Sequence, residues 1–238
     1  MASYTSTPLF GGALIVDLPS TFAAVRCVTP FPSTNVRLTH EISTIRQVPD
    51  HQEVYLDKDG FTSIIFDITE RVGLPGSGPA VDGAALTTHL EDIVASDIDI
   101  VQVWNTSNTQ FSKLPYASFS PLSPLKPLAT KECYDHVLTL RSDDIPAYTL
   151  IATQTPPPQP GSKSPDFTAI VLTLIRLEED KTDILITINV PHIKGEYSVE
   201  EVDMQVGKQG KLIENAVEYA ARIWETFKIK DWGLFNEV

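Results

Sequence analysis

FTAIVLTLIRL, Phe167 to Leu177, runs across Glu178–Lys181 into TDILITINVP, Thr182 to Pro191, and these two stretches decide the fold. In the first, both alternating sets are largely apolar, which predicts a central strand covered on both faces. In the second, Ile184, Ile186, Ile188 and Val190 line one face, while Thr187 and Asn189 lie on the other. Just upstream, AYTLIATQ leads through TPPPQPGSKSP, Thr155 to Pro165, back into the first of them. That order predicts a long hairpin whose tip is the Pro-rich loop at 155–165. Toward the C-terminus, Leu212, Ile213, Ala216, Val217, Ala220, Ile223, Trp224 and Phe227 form a broad apolar stripe at helical spacing. The helix they predict belongs across the sheet.

The first third supplies further strands. Leu9 to Pro19 reads as a turn into a strand that Pro19 stops. EVYLD is a short strand. TSIIFDI, Thr62 to Ile68, alternates, with Ile64, Phe66 and Ile68 sharing a face. Gly73 to Gly83 reads as a loop from its Gly and Pro content. Ala85 to Val94 predicts a helix through Leu86, Leu90 and Ile93/Val94, and Ile98 to Trp104 another strand. Leu114 to Leu128 is Pro- and Ser-rich and reads as a surface loop. Many strands and few helices predict an α+β fold, a mainly antiparallel sheet packed by helices, in one domain spanning 1–238.

Composition narrows the function. The chain of 238 residues carries a net charge of −13, so nucleic acid is a poor partner and a basic protein a good one. No run is long enough to span a bilayer, and the polar ASYTST after Met1 lacks the pattern of a signal peptide. Cys27 and Cys133 alone point to a reducing compartment, and no Cys/His cluster supports a metal such as zinc.

Motifs for catalysis are missing. GSGPAVDG lacks the GxGxxG order, and no P-loop, GxSxG or HExxH occurs. His40, His51, His89, His136 and His192 show no ligand spacing among themselves. Cys133 and His136 lie three apart in a strand-like stretch, which sends them to opposite faces and makes a buried, inert thiol the better reading. Two DxxE pairs remain: Asp50 with Glu53, and Asp67 with Glu70. Their spacing joins the carboxylates only in a helical or turn conformation. Asp50 suits the cap of a short turn with Glu53 returning to it as in a capping box, and Asp67–Glu70 suits a strand running into a polar turn. Retaining-glycosidase chemistry, with carboxyls about 5 Å apart, lacks an aromatic platform here. A solvated acidic face is the default reading, and a protein-binding patch comes second.

A resemblance raises the second reading. LFGGA (Leu9–Ala13), LP (Leu18–Pro19), IRQVPDHQEVYLD (Ile45–Asp57), SIIFDITE (Ser63–Glu70), LIRL (Leu174–Leu177), TDILITINVP and the terminal LF (Leu234–Phe235) occur in the order found in the Ran guanine nucleotide release factor family. VPDxQEVY together with TDxxIxINxP is the most specific part. The resemblance implies a PsbP-like fold, a curved antiparallel sheet sandwiched by helices. It also implies a protein that binds the GTPase Ran and promotes nucleotide release in nuclear import. The chain would then act in nucleus and cytoplasm, as a monomer, without a cofactor and without being an enzyme. A scaffold without exchange activity, or a hydrolase using Asp and Glu, are the alternatives. By the same resemblance, Asp50, Glu53, Asp67 and Glu70 lie on or beside the Ran-facing surface, with Asp67 and Glu70 favoured and Asp50 alternatively holding the turn.

One departure stands out. The family runs from LPxxFxxx almost directly into STLRxVPD, whereas here Arg26–Ile42 intervenes, with two prolines and no clean periodicity. That segment reads as an insert or a retained intron, or otherwise as a genuine surface loop beside the acidic residues.

Overall fold

A computed structural model describes residues 3–25, 48–76, 78–94, 99–114, 145–157 and 164–235. The segment at 26–42, Cys27, Cys133, His40, His136 and nearly all of the loop at 114–128 lie outside the described residues, as does 158–163 within the 155–165 loop.

The chain opens with β1 (Tyr4–Leu9), a tight 3-10 turn at Phe10–Gly12, β2 (Leu14–Pro19) and β3 (Phe22–Ala24). Next come β4 (Gln52–Asp57), β5 (Ser63–Glu70), α1 (Pro79–Val94), β6 (Ile100–Asn108) and β7 (Ala147–Thr155). β8 (Phe167–Leu177) and β9 (Thr182–His192) follow, then the minor strands β10 (Val202–Asp203) and β11 (Lys208–Gln209). α2 (Gly210–Thr226) and β12 (Lys228–Ile229) close the fold. Among the described residues, seven strands form one antiparallel sheet in the order β3-β4-β5-β9-β8-β7-β6, and β1-β2-β12 form a smaller one.

The α+β reading holds, and the two deciding stretches occupy the middle of the large sheet. Every residue of β8 from Ala169 on is buried. Leu172 and Leu174 face α1, while Val171 and Ile175 face α2, so both apolar sets are used. On β9, Ile184, Ile186, Ile188 and Val190 join the α2 side, where Ile213, Ala216, Ala220, Ile223 and Phe227 meet them. The small sheet shares that core through Leu9, Leu14, Val16 and Leu18. β7 and β8 pair from Ala147↔Ile175 to Gln154↔Thr168, the predicted hairpin.

α1 starts earlier than its periodicity predicts and takes in Pro79–Gly83, which read as loop. Proline is acceptable in a first turn, whose N–H groups lack helical partners anyway. Asp82 then accepts a hydrogen bond from Gly78 N at 2.8 Å.

α1 is fixed to the sheet by a buried charge cluster. Arg176 of β8 is 1% exposed, and Asp82 and Asp183 are fully buried. Arg176 Nη1 donates to Asp82 Oδ1 at 3.0 Å and Nε to Asp183 Oδ1 at 3.1 Å. Nη2 donates to the Val72 carbonyl. His89 of α1 meets Asp183 Oδ2 at 2.9 Å, and Val72 N donates to the same oxygen. Each carboxylate oxygen named has a specific donor, the condition under which buried charge is tolerated.

Candidate functional site

β4 and β5 enter the sheet beside one another, and the four acidic residues gather at that end. Pro49 and Asp50 form a turn closed by Gln52 N donating to the Pro49 carbonyl at 3.0 Å. Asp50 and His51 are exposed. The His51 carbonyl accepts from Ile68 N, which ties the turn to β5. β3 pairs with Tyr55–Asp57 only, its side finishing with Val25 N on the Val54 carbonyl. Gln52 and Glu53 therefore sit where the large sheet has an open edge among the described residues.

Strand alternation separates the carboxylates. Gln52 is opposite Asp67, and Glu53 is opposite Phe66. Phe66 points into the α2-side core, so Glu53 belongs to that face and Asp67 to the α1 side. Glu53 is engaged: its Oε1 accepts from Phe10 N at 2.6 Å and its Oε2 from the Tyr55 hydroxyl at 3.0 Å. The capping-box reading is thereby corrected. Glu53 already lies in the strand, and it holds a loop far away in sequence instead of the Asp50 turn.

That loop needs such a partner. Phe10, Gly11 and Gly12 all have positive φ, at 47°, 66° and 96°. Left-handed backbone is costly for phenylalanine and free for glycine, and the Glu53 bond to Phe10 N helps to hold it. LFGGA and QEVY thus form one structural unit. Two hollows flank Glu53, one of about 460 Å³ bounded by Phe10, Pro49, Asp50, Gln52 and Leu234, the other of about 400 Å³ bounded by Pro8, Gly12 and Tyr55. Asp50 and Glu53 share the first.

Asp67 is differently placed. Its Oδ2 accepts from Gln52 Nε2 at 2.8 Å. Its Oδ1 is buried and accepts no hydrogen bond, with His51 Nε2 at 3.8 Å. Oδ1 is shielded from solvent, but the side chain as a whole keeps 21% of its surface exposed, so its negative charge lies close under the surface. Glu70 is exposed and ends β5, so the strand runs past the expected Ile68 and Asp67–Glu70 is extended throughout instead of entering a turn. Three residues apart on a strand, Asp67 and Glu70 leave by opposite faces. The four acids thus surround one end of the β4–β5 pair without forming a single flat patch. The Phe10–Gly12 loop escaped prediction as part of this site; the signal for it was the adjacent glycine pair of LFGGA.

Among the described residues no three His, Cys, Asp or Glu side chains converge as metal ligands. No described helix is long and apolar enough to cross a membrane.

An antiparallel sheet held between two helices, with carboxylates ringing one strand end, defines an α+β sandwich with a surface site. The chain belongs to the Mog1 family: the family model described as Ran-interacting Mog1 protein matches residues 34–191, a span that includes all four acids. A Dictyostelium discoideum protein called probable ran guanine nucleotide release factor is 23% identical over 98% of this chain and 97% of its own length. The Saccharomyces cerevisiae Ran-binding protein Mog1p matches at a TM-score of 0.60 and 21% identity, covering 99% of this chain and all of that one. A point mutant of protein Mog1 matches at 0.58 and 20% identity, covering 98% and 99%. These two structures bear out the fold.

Proposed function

We propose that this protein binds the small GTPase Ran and promotes release of its guanine nucleotide, in support of nuclear protein import, and that it works in nucleus and cytoplasm as a monomer. The observation that carries this reading is the match to a Ran-interacting family over a span containing Asp50, Glu53, Asp67 and Glu70. The name of the Dictyostelium relative supports the nucleotide-release part of this reading. The charge of −13 favours encounter with a basic surface.

The chemistry needs no nucleophile. A GTPase holds its nucleotide through Mg²⁺, a P-loop lysine and backbone amides. Carboxylates brought close compete for that lysine or for neighbouring basic side chains, and so loosen the hold on phosphate. Such a factor acts by binding the empty state more tightly than the loaded one. Asp67 and Glu70 are the favoured pair of the four: the Asp67 side chain is partly exposed beside Gln52 and His51, and Glu70 is exposed. Truncating one partner of a desolvated carboxylate–lysine pair costs about 2–5 kcal/mol.

The test follows release of fluorescent GTP from Ran. The wild-type protein should accelerate release, and the Asp67→Lys/Glu70→Lys variant should lose the acceleration. A variant as active as wild type removes these two residues from the site. Pulldown with nucleotide-free, GDP- and GTP-loaded Ran separates an exchange factor from a scaffold without exchange activity.

A further inference from the structure

Among the described residues, α1 covers one part of its face of the large sheet and does not extend over β4 and β5. Leu86 and Leu90 pack over β7, β8 and Leu185 of β9. The same face continues across β5 and β4 in cross-strand rows. Leu185, Asp67 and Gln52 form one row, and Thr187, Ile65 and Val54 the next. Asn189, Ser63, Leu56 and Ala23 form the third. Asn189 Nδ2 donates to Ser63 Oγ at 3.4 Å, as side chains on a shared face can. Val54, Leu56 and Ile65 are thus adjacent apolar side chains that belong to neither hydrophobic cluster. Leu56 is 47% exposed, and Phe61 in the loop that follows is 55% exposed.

Val54 and Ile65 are half-buried beside the exposed Leu56, and a contiguous apolar strip that reaches solvent marks an interaction surface. The composition of this one indicates its occupant. An apolar centre with a polar rim is the usual anatomy of a protein interface. Here the rim begins in the adjoining row, with Asp67, whose carboxylate side chain is 21% exposed. A fitting partner surface carries an apolar side chain beside a lysine or arginine. We infer that Val54, Leu56 and Ile65 form the apolar centre of the surface that receives Ran, with Asp67 as its acidic rim. This rests on the Ran reading and adds where the contact area lies: on the α1-side face of β4 and β5, the face opposite the one to which Glu53 belongs. Burying the strip excludes water around Asp67 and strengthens its pairing with a partner cation, so the two elements act together.

The experiment measures the Kd of nucleotide-free Ran for wild type, Leu56→Glu, Leu56→Ser and Asp67→Lys, with thermal unfolding of each. Leu56 is far enough exposed for both substitutions to leave Tm close to wild type, and Leu56→Ser serves should the charged variant misfold. At least tenfold weaker binding by Leu56→Glu, with a smaller loss for Leu56→Ser, is the expected result. Binding within twofold of wild type by both, while Asp67→Lys is impaired, overturns the apolar surface and leaves the Ran reading standing. If wild type binds Ran in no nucleotide state, both fall. Self-association by light scattering that Leu56→Glu abolishes identifies a second copy as the occupant and also overturns the inference.

Discussion

Replacing Arg176 by methionine tests what holds α1 on the sheet. The guanidinium is 1% exposed and donates to Asp82, Asp183 and the Val72 carbonyl. Methionine fills much of the volume, so little of the effect arises from an empty cavity. Its cost comes from the two carboxylates left behind, both fully buried. Asp183 keeps His89 and Val72 N, and Asp82 keeps Gly78 N, so neither is stripped bare. Removing one member of a buried ion pair costs about 3–5 kcal/mol. A domain of this size loses about 2–4 °C per kcal/mol, so Tm should fall by about 6–20 °C. Urea unfolding followed by circular dichroism gives the free-energy change. Asp183→Asn should cost less in a chain already carrying Arg176→Met than in wild type, by more than about 0.5 kcal/mol, because the two residues share one network. A loss below about 1 kcal/mol for Arg176→Met, or strict additivity, would refute the cluster as the clamp on α1.

His192 makes stability depend on pH. It is fully buried, stacked on Phe167 with ring centres 4.0 Å apart, and its Nδ1 is 2.9 Å from the Val190 carbonyl. Burial lowers its pKa below the ordinary 6.5, against smaller opposing effects of that carbonyl and Asp166. The unfolded chain therefore takes up this proton at a higher pH than the folded protein, and stability falls as pH drops below 6.5 toward the folded value. Above 6.5 the contribution is flat. The drop in urea midpoint between about pH 7.5 and 5.5 should be smaller in His192→Phe than in wild type, and equal drops would refute the assignment. Glu53→Gln weakens the acceptor for Phe10 N and should cost about 1–2 kcal/mol, with faster amide exchange at Phe10–Gly12. Unchanged exchange there would mean that the loop holds its left-handed backbone unaided.

Residues that face a continuous core were legible in the sequence, and residues whose partners lie far away were not. β8 and β9 announce themselves because both faces of one and one face of the other are apolar. β1 was invisible: its residues are exposed or half-buried except Leu9, which alone reaches the core. β6 extends past Trp104 to Asn108 as a polar edge strand, with no apolar alternation to mark its end. The start of α1 was hidden because Gly and Pro serve a helix entry as readily as a loop. At the site, local spacing suggested Glu53 as a capping partner, but its bond runs to Phe10, 43 residues away. No short window along the chain contains both.

This bears on how the resemblance to Ran-binding proteins is used. Arg176 in LIRL and Asp183 in TDILITINVP are cross-strand partners that meet inside the protein. The glycines of LFGGA and Glu53 of QEVY meet at the loop that Glu53 holds. Much of the shared pattern is thus demanded by the architecture, and a substitution within it changes binding through the fold whether or not that residue touches Ran. Glu53→Lys would displace the Phe10 loop, and lost binding after it would not locate the interface. Asp67 and Leu56 stand apart. One has an oxygen without a hydrogen bond, and the other is open to solvent outside both hydrophobic clusters. Leu56 supports neither cluster, whereas Asp67 also bonds Gln52 across the strands, so Tm is the control there: lost Ran binding with unchanged Tm at these two positions reports contact directly.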